Sequence, residues 1–141
     1  MKKIVMISGI LLVAAFAGTV DSTYVTLHSS QAFVIPCGFA GGCEQVLNSP
    51  YSRIFGIPVA WLGFGFYVTV AATSLFALFG FAKALRLSFA AAVPAFAFTV
   101  YLVWVQAFVL RAFCDYCLLS AFLVILIFGL HLWAKPLMKS M

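Results

Sequence analysis

Four cysteines are the residues of this chain best suited to chemistry. They form two pairs, Cys37 and Cys43 with five residues between them, and Cys114 and Cys117 with two. Paired thiols pass between dithiol and disulfide forms, and each exchange goes through a mixed disulfide. Two such pairs in one short chain predict a relay that hands electrons from one pair to the other.

The tighter pair is predicted to open the last helix of the chain. At positions i and i+3 of a helix, the sulfurs of Cys114 and Cys117 would share a face and close a small disulfide loop. The positive end of a helix stabilises a thiolate, but Asp115 opposes that effect and Arg111 partly restores it, so no direction follows for the pKa. We expect Cys117 to lie about one turn deeper than Cys114, toward the hydrocarbon.

The looser pair encloses the sequence Gly-Phe-Ala-Gly-Gly, between Cys37 and Cys43. Glycines give a backbone freedom that a structural disulfide does not require. We therefore expect a mobile dithiol that faces an external partner at one moment and Cys114 at another. Two alternatives remain for the four cysteines: a pair of static disulfides, or a zinc site, although zinc ligands are usually separated by about two to four residues.

The elements that must position these cysteines are membrane helices. Of 141 residues, 66% are hydrophobic and 8% charged, whereas a soluble domain averages about 25% charged residues. We predict an all-α polytopic membrane protein, a single domain 1–141 built as a four-transmembrane-helix bundle. A span needs about 20 apolar residues. The expected spans are about 4–28, 55–82, 87–110 and 115–134, with an outward loop at 29–54.

Orientation follows from the lysines and arginines of the connections. An even number of spans leaves Arg53 and Arg111 on one side and puts six basic residues on the other, namely Lys2, Lys3, Lys83, Arg86, Lys135 and Lys139. The positive-inside rule then predicts cytoplasmic termini and extracytoplasmic cysteines, in the inner or plasma membrane. The net charge of +5 therefore lies at helix ends and offers nucleic acid no basic face.

The N-terminus has a second interpretation. The stretch from Lys2 to Ala17 fits a cleavable signal peptide, with basic residues, an apolar run and small residues at its end. Helix-compatible sequence continues to Leu27, however, and favours a retained span.

A dithiol relay also needs an electron acceptor. The sequence contains no C-x-x-C-H haem motif, no Rossmann glycine pattern and no iron–sulfur spacing. By elimination we expect a quinone, either ubiquinone or menaquinone, that enters from the bilayer and meets Cys117 within the bundle.

Asp21, Tyr24 and His28 are expected on one face of the first span, at i, i+3 and i+7. Ionisable residues inside spans usually face the bundle interior. A proton relay is one interpretation, because quinone reduction consumes two protons. The favoured one is that Asp21 packs against hydroxyl groups while His28 lies at the wet interface.

Six motifs follow one another along the chain. They are Tyr24-x3-His28, Cys37-x5-Cys43, Asn48-Ser49-Pro50-Tyr51-Ser52, Phe55-Gly56-Ile57-Pro58-Val59-Ala60, Gly63-x3-Tyr67 and Cys114-x-Tyr116-Cys117. This ordered set resembles the vitamin K epoxide reductase family in its small bacterial or archaeal form. DsbB-like proteins also have four spans and four cysteines, but they carry the C-x-x-C motif in the first outward loop.

The resemblance implies a role for each cysteine. Cys37 would exchange with a DsbA-type, thioredoxin-fold protein outside the cytoplasm. Cys43 would then pass electrons to Cys114, and Cys117 would face the quinone. Ser49 matches the loop serine or threonine that the family places near the quinone chemistry; without the resemblance it is a plain loop serine.

Two departures from the family bear on the substrate. Vertebrate members carry Asn where this chain has Val59, and Tyr where it has Ala121. Both departures favour simple quinone reduction over epoxide reduction. Val59 and Phe113, together with Cys117, are the predicted quinone contacts. Because the chain ends soon after the fourth span, the thioredoxin-fold partner is expected to be a separate protein.

Together these features predict a disulfide-generating thiol:quinone oxidoreductase. A thiol-driven quinone or quinone-epoxide reductase is the alternative within the same fold. The alternative from a different class is a non-catalytic membrane protein with structural or metal-binding cysteines.

Overall fold

The computed structural model describes residues 2–30 and 50–139. Its helices are α1 Lys2–Ser30, α2 Val59–Leu78, α3 Ala84–Trp104 and α4 Asp115–Lys139. A 3-10 turn, Pro50–Ser52, and a hairpin of β1 Arg53–Ile54 with β2 Ile57–Pro58 precede α2, and a π-helical turn, Val105–Leu110, extends α3. Cys37, Cys43 and Ser49 lie outside the described residues, so the roles expected for them stay predictions.

Four helical stretches are long and apolar enough to cross a membrane. They are Lys2–Leu27, Val59–Leu78, Ala84–Leu110 and Asp115–Pro136. The predicted all-α, four-helix membrane architecture is therefore confirmed. Large apolar side chains such as Phe16, Phe79 and Phe108 are mostly exposed on the outside of the bundle, as lipid-facing residues are.

The second helix begins at Val59, later than the expected start at residue 55. Phe55 and Gly56 instead form the turn of the hairpin, with φ values of 53° and 82°. Two successive residues with positive φ define the tight turn whose twist suits a two-residue hairpin loop. The hairpin pairs Arg53 with Pro58 and Ile54 with Ile57. Pro58, at φ −58° and ψ 138°, then marks the start of α2.

Helices α1 and α2 approach closely through glycines. A Cβ atom on Gly18 would overlap the ring of Tyr67, and one on Gly63 would lie 3.2 Å from Ser22 Oγ. Small residues permit this kind of close packing between helices in lipid. The Tyr67 ring is fully buried in the space that Gly18 leaves. Its hydroxyl lies 2.7 Å from Ser120 Oγ and 3.0 Å from the Ser120 carbonyl oxygen, so Tyr67 ties α1 and α2 to α4.

At the end of the bundle opposite Cys114, each helix has a polar side chain that is completely buried. Ser8, Ser74, Ser88 and His131 are each 0% exposed. His131 donates from Nδ1 to the Ile127 carbonyl at 2.8 Å. Within the described residues, its Nε2 atom and the three serine hydroxyls have no hydrogen-bond partner. We refer to these four residues as the distal polar set.

Candidate functional site

Cys114 caps the N-terminus of α4. Its carbonyl accepts the Leu118 N–H at 2.9 Å, and its Sγ atom accepts the Cys117 N–H at 3.4 Å. This is the N-cap arrangement, in which a side chain satisfies a free N–H group of the first helical turn. Cys114 directly precedes the first helical residue, because α4 begins at Asp115, where the fourth span was expected to begin. Both cysteines are free thiols, Cys114 fully buried and Cys117 half-buried.

The cap position determines the acidity of the first thiol. Hydrogen bonding from the Cys117 side chain lowers the pKa of Cys114, and hydrogen bonds from the backbone N–H groups of Cys117 and Tyr116 act in the same direction. Burial and the negative charge of Asp21 oppose this lowering without reversing it. The sequence left the direction of the net shift open. The geometry supplies it, because three donors converge on one sulfur.

Gln106 fixes the connection that leads to Cys114. Its Oε1 atom accepts the buried N–H of Cys114 at 3.1 Å, and its carbonyl accepts the N–H of Ala112 at 3.1 Å. Arg111 ends the π-helical turn in the left-handed region, at φ 49°. Sequence reasoning missed Gln106. The available signal was a lone amide in an apolar span, a position where polar residues usually have a function.

A cavity of about 210 Å³ opens beside Cys117. All four helices and the hairpin contribute to its walls. The apolar lining includes Val25, Val59, Leu62, Phe66, Phe98, Leu102, Ala121 and Val124, and the polar lining includes Asp21, Arg53, Tyr67, Gln106, Tyr116 and Ser120. Cofactor sites have this character, mostly apolar with a few convergent polar groups.

The size of the cavity limits what it can hold. Pockets for drug-sized ligands measure about 300–1,000 Å³, so about 210 Å³ suits a small ring system. A single quinone ring is of this size, and the residues that could hold such a ring are Cys117 and the apolar wall containing Val59 and Ala121.

The structure brings some of the predicted quinone contacts together. Cys117 and Val59 line the same cavity, as does Ala121. Phe113 is 39% exposed and is not among the lining residues of this cavity, so the cavity gives no support to the prediction for Phe113. Arg53 of the hairpin is a lining residue that sequence reasoning did not select.

The polar face predicted for α1 is partly described. Asp21 is 8% exposed and lies on the cavity wall. Tyr24 packs its ring against Tyr116 of α4, with ring centroids 5.1 Å apart. The side chain of His28 lies outside the described residues. The expected proximity of Asp21 and Tyr24 to the interior is therefore observed, whereas the position of His28 stays a prediction.

Metal binding was the other use considered for the cysteines. Among residues 2–30 and 50–139, no cluster of three or more His, Cys, Asp or Glu side chains is placed to hold an ion. A four-cysteine site would need Cys37 and Cys43, which lie outside this part of the chain.

Comparison with known proteins assigns the class to which this bundle belongs. Residues 9–132 match the model of the vitamin K epoxide reductase family. Since the match covers most of the chain, the protein belongs to that family, as the ordered motifs predicted.

One curated relative is the thiol-disulfide oxidoreductase LTO1 of Arabidopsis thaliana. The two proteins are 33% identical over 126 residues, which cover 77% of this chain and 30% of the relative. The matched region therefore spans less than one third of the length of LTO1.

Proposed function

We propose that this chain is a membrane thiol:quinone oxidoreductase that supports disulfide-bond formation. One observation carries the proposal: Cys117 lines an apolar cavity inside the bundle, directly beside a thiol whose pKa is lowered. A structural disulfide would require neither a cavity nor an acidic thiol. A dithiol that passes electrons to a lipid-soluble acceptor uses both.

The electrons would enter from a thioredoxin-fold protein of the DsbA type. That partner would be oxidised by the Cys37–Cys43 disulfide, and the resulting dithiol would reduce the Cys114–Cys117 disulfide. At the inner pair, which consists of Cys114 and Cys117, the two thiols lose two electrons and two protons as the S–S bond forms. A quinone supplies the acceptor, takes up both electrons and both protons, and leaves as quinol.

The residues of the inner site divide this work. The Cys114 sulfur, held by the first turn of α4, would be the nucleophile that closes the disulfide, because the thiolate is the attacking species. Cys117 would be the sulfur that meets the acceptor, since it lines the cavity. Ser49, six residues after Cys43, is proposed to act near the same chemistry, as its match to the family motif implies.

The energetics favour a respiratory acceptor over glutathione. A DsbA-type oxidant has a reduction potential of about −120 mV, well above that of the glutathione pool, so glutathione cannot return it to the oxidised form. A quinone can. The printed name of the LTO1 relative, a thiol-disulfide oxidoreductase, agrees with thiol-dependent redox chemistry in this chain.

The proposed orientation places both termini in the cytoplasm and all four cysteines outside it, in the inner or plasma membrane. Cys114, Cys117 and the hairpin residue Arg53 belong to one end of the bundle. A membrane-impermeant thiol reagent added to intact, reduced cells should therefore label Cys37 or Cys43. Labelling of these cysteines only after the membrane is permeabilised would overturn the orientation.

A thiol-driven reductase of quinone epoxides is the second candidate within the same site. Val59 and Ala121 on the cavity wall offer no side-chain hydrogen bond to an epoxide oxygen. This favours the simpler reduction of a quinone. The alternative from a different class, structural or metal-binding cysteines, leaves the cavity beside Cys117 without a use.

The deciding experiment measures two products in parallel. Purified protein in lipid nanodiscs is mixed with a reduced DsbA-type protein and a short-chain ubiquinone or menaquinone, and the partner disulfide and quinol are quantified. Cys117→Ser should abolish quinol formation. The control Thr69→Val should not change it, because the Thr69 hydroxyl bonds only to its own helix, at Gly65 O. Quinol formed at the wild-type rate by Cys117→Ser would refute the proposed function.

A further inference from the structure

Among the residues that the structure describes, one carboxyl group lines the cavity beside Cys117, that of Asp21. The residue lies in a stretch of α1, Lys2–Leu27, that is otherwise apolar enough to cross a membrane. Its side chain is 92% shielded from solvent, being 8% exposed. A buried acidic residue within a membrane span is costly, and it usually marks a pathway for protons, ions or substrate.

Two hydroxyl groups near Asp21 in the sequence of α1 have other partners. The hydroxyl of Thr19 donates to the Ala15 carbonyl at 2.7 Å, and that of Thr23 donates to the Thr19 carbonyl at 2.7 Å. A hydroxyl has a single hydrogen to donate. These two are already committed to the backbone of α1, so neither can donate to the carboxyl, and the expected packing against hydroxyls loses two candidate partners.

The groups around the carboxyl are those of the redox site. Cys117, Tyr116 and Tyr67 line the same cavity, and Arg53 lines it from the hairpin. The Tyr67 hydroxyl is engaged with Ser120 of α4. The charge of Asp21 also acts on the sulfur of Cys114, where it opposes the lowering of the pKa. Asp21 is thus electrostatically coupled to the cysteine pair across the helix interface.

We propose that Asp21 is a catalytic proton carrier between the Cys117 thiol and an oxygen of the bound quinone. This inference rests on the proposed function. In the balanced step the carboxylate accepts the proton of Cys117, the Cys114 sulfur forms the S–S bond, and two electrons pass to the quinone. The carboxylic acid then donates its proton to a quinone oxygen. The second proton comes from the water that received the proton of Cys114, and Asp21 ends the turnover unchanged.

The expected consequence of Asp21→Asn is a slow protein that is still well folded. Asparagine keeps the size of the side chain but cannot carry the proton, and loss of one acid–base group lowers rates by about 100-fold or more. We therefore expect kcat for quinol formation to fall by that factor, with KM for quinone and the thermal unfolding midpoint unchanged. Asp21→Glu should retain more activity than Asp21→Asn, because it keeps a carboxyl group.

Thr23→Val is the matched control on the same helix. It removes a polar side chain two residues away whose hydroxyl bonds to Thr19 O, and Thr23 is not among the cavity-lining residues. Wild-type kinetics are expected for it. If Asp21→Asn raised KM and left kcat unchanged, Asp21 would be a binding residue and the proton proposal would be wrong.

A spectroscopic readout follows the carboxyl group directly. Time-resolved infrared spectra of the dithiol protein after rapid mixing with quinone should contain a transient carbonyl stretch of a protonated carboxyl, which appears as Asp21 takes the proton of Cys117 and disappears as quinol forms. The band should shift on labelling with carbon-13 aspartate. It should survive in Asp115→Asn, the other aspartate of the chain, and disappear in Asp21→Asn. Labelled wild-type protein without such a band would overturn the proposal even if no variant folded.

The outcomes separate this inference from the proposed function. Wild-type protein that forms no quinol with any quinone contradicts the function itself. Wild-type protein that forms quinol, with Asp21→Asn equally fast, contradicts only the role of Asp21 and leaves the function standing.

Discussion

The backbone N–H of Cys117 points at the sulfur of Cys114, 3.4 Å away, in the first turn of the helix that the two residues open. The same sulfur receives a hydrogen bond from the Cys117 side chain, which is the largest cause of its lowered pKa. The two thiols are therefore not equivalent. Cys114 is held as the acidic sulfur of the pair, while Cys117 is the one with a face on the cavity.

The first prediction concerns the acidity of Cys114. With its pKa lowered, the thiol ionises below the ordinary value of about 8.5, so thiolate is present at pH values where an unperturbed cysteine is protonated. Cys117→Ala removes the main donor and should move the ionisation midpoint upward. Cys117→Ser keeps a donor and should move it less.

The measurement is the ultraviolet absorbance of the thiolate against pH, in a protein with Cys37 and Cys43 replaced by serine. Cys114→Ser in the same background serves as the blank. Equal midpoints for the alanine and serine variants would mean that the Cys117 side chain does not control the acidity.

The second prediction concerns Gln106. Gln106→Met keeps the length of the side chain but removes the acceptor for the Cys114 N–H. A buried N–H without a partner costs about 1–3 kcal/mol, so we expect a lower unfolding midpoint and slower closure of the Cys114–Cys117 disulfide. Phe108→Ala, in the same turn but 68% exposed, should change the closure rate little. Similar closure rates for Gln106→Met and wild type would contradict this positioning role.

The third prediction tests the packing of α1 on α2. Gly18→Ala places a methyl group where the Tyr67 ring lies, whereas Gly9→Ala meets nothing within 4 Å. Overpacking costs about 1–3 kcal/mol, so Gly18→Ala should unfold more easily in detergent. Gly9→Ala should be neutral or stabilising by up to about 1 kcal/mol, because alanine favours a helix more than glycine does. Equal unfolding midpoints would show that the ring yields without cost.

The fourth prediction separates a relay from a static cross-link. Cys43→Ser should stop transfer between the two cysteine pairs but leave the inner pair able to react with quinone. A small dithiol should therefore still drive quinol formation, while oxidation of a DsbA-type protein falls to background. Oxidation of the protein partner at the wild-type rate by Cys43→Ser would rule out the shuttle.

Much of the fold could be predicted from the sequence, and there is a physical reason for this. Apolar runs of about 20 residues have few uses outside a membrane, and the ordered cysteine motifs are specific enough to indicate the family. The start of α2 was harder to predict. Phe55 and Ile57 belong to a hairpin, yet they are apolar and join the apolar run of the following helix without a break. Only backbone angles distinguish this turn from a helix start.

Residues of the site could be predicted where the residue type alone indicates the chemistry. Cys117 was singled out by its spacing from Cys114, and the structure puts it on the wall of the cavity; its role toward the quinone stays a prediction. Gln106 was not found, since its role depends on a π-helical turn that aims an amide at one N–H group. Asp21 was expected to pack against hydroxyl groups, and the structure adds that it lines the cavity beside Cys117. The hydrogen-bond partners of nearby hydroxyls such as those of Thr19 and Thr23 become visible only in three dimensions.

The distal polar set helps to determine the rotation of each of the four helices about its own long axis. Lipid tails are as apolar as the side chains of the spans, so burying apolar surface does little to tell a helix which side should face its neighbours. A serine or a histidine turned outward would lie in hydrocarbon and have only its own helix to bond to, whereas the interior of the bundle also contains the polar groups of the other helices. Ser8, Ser74, Ser88 and His131 each point to the inside of the bundle. Because each helix contributes such a residue, rotating any helix about its long axis would expose a polar group to lipid and is therefore disfavoured. The rotational setting of α4 in turn fixes the side of the bundle to which Cys114 and Cys117 are directed.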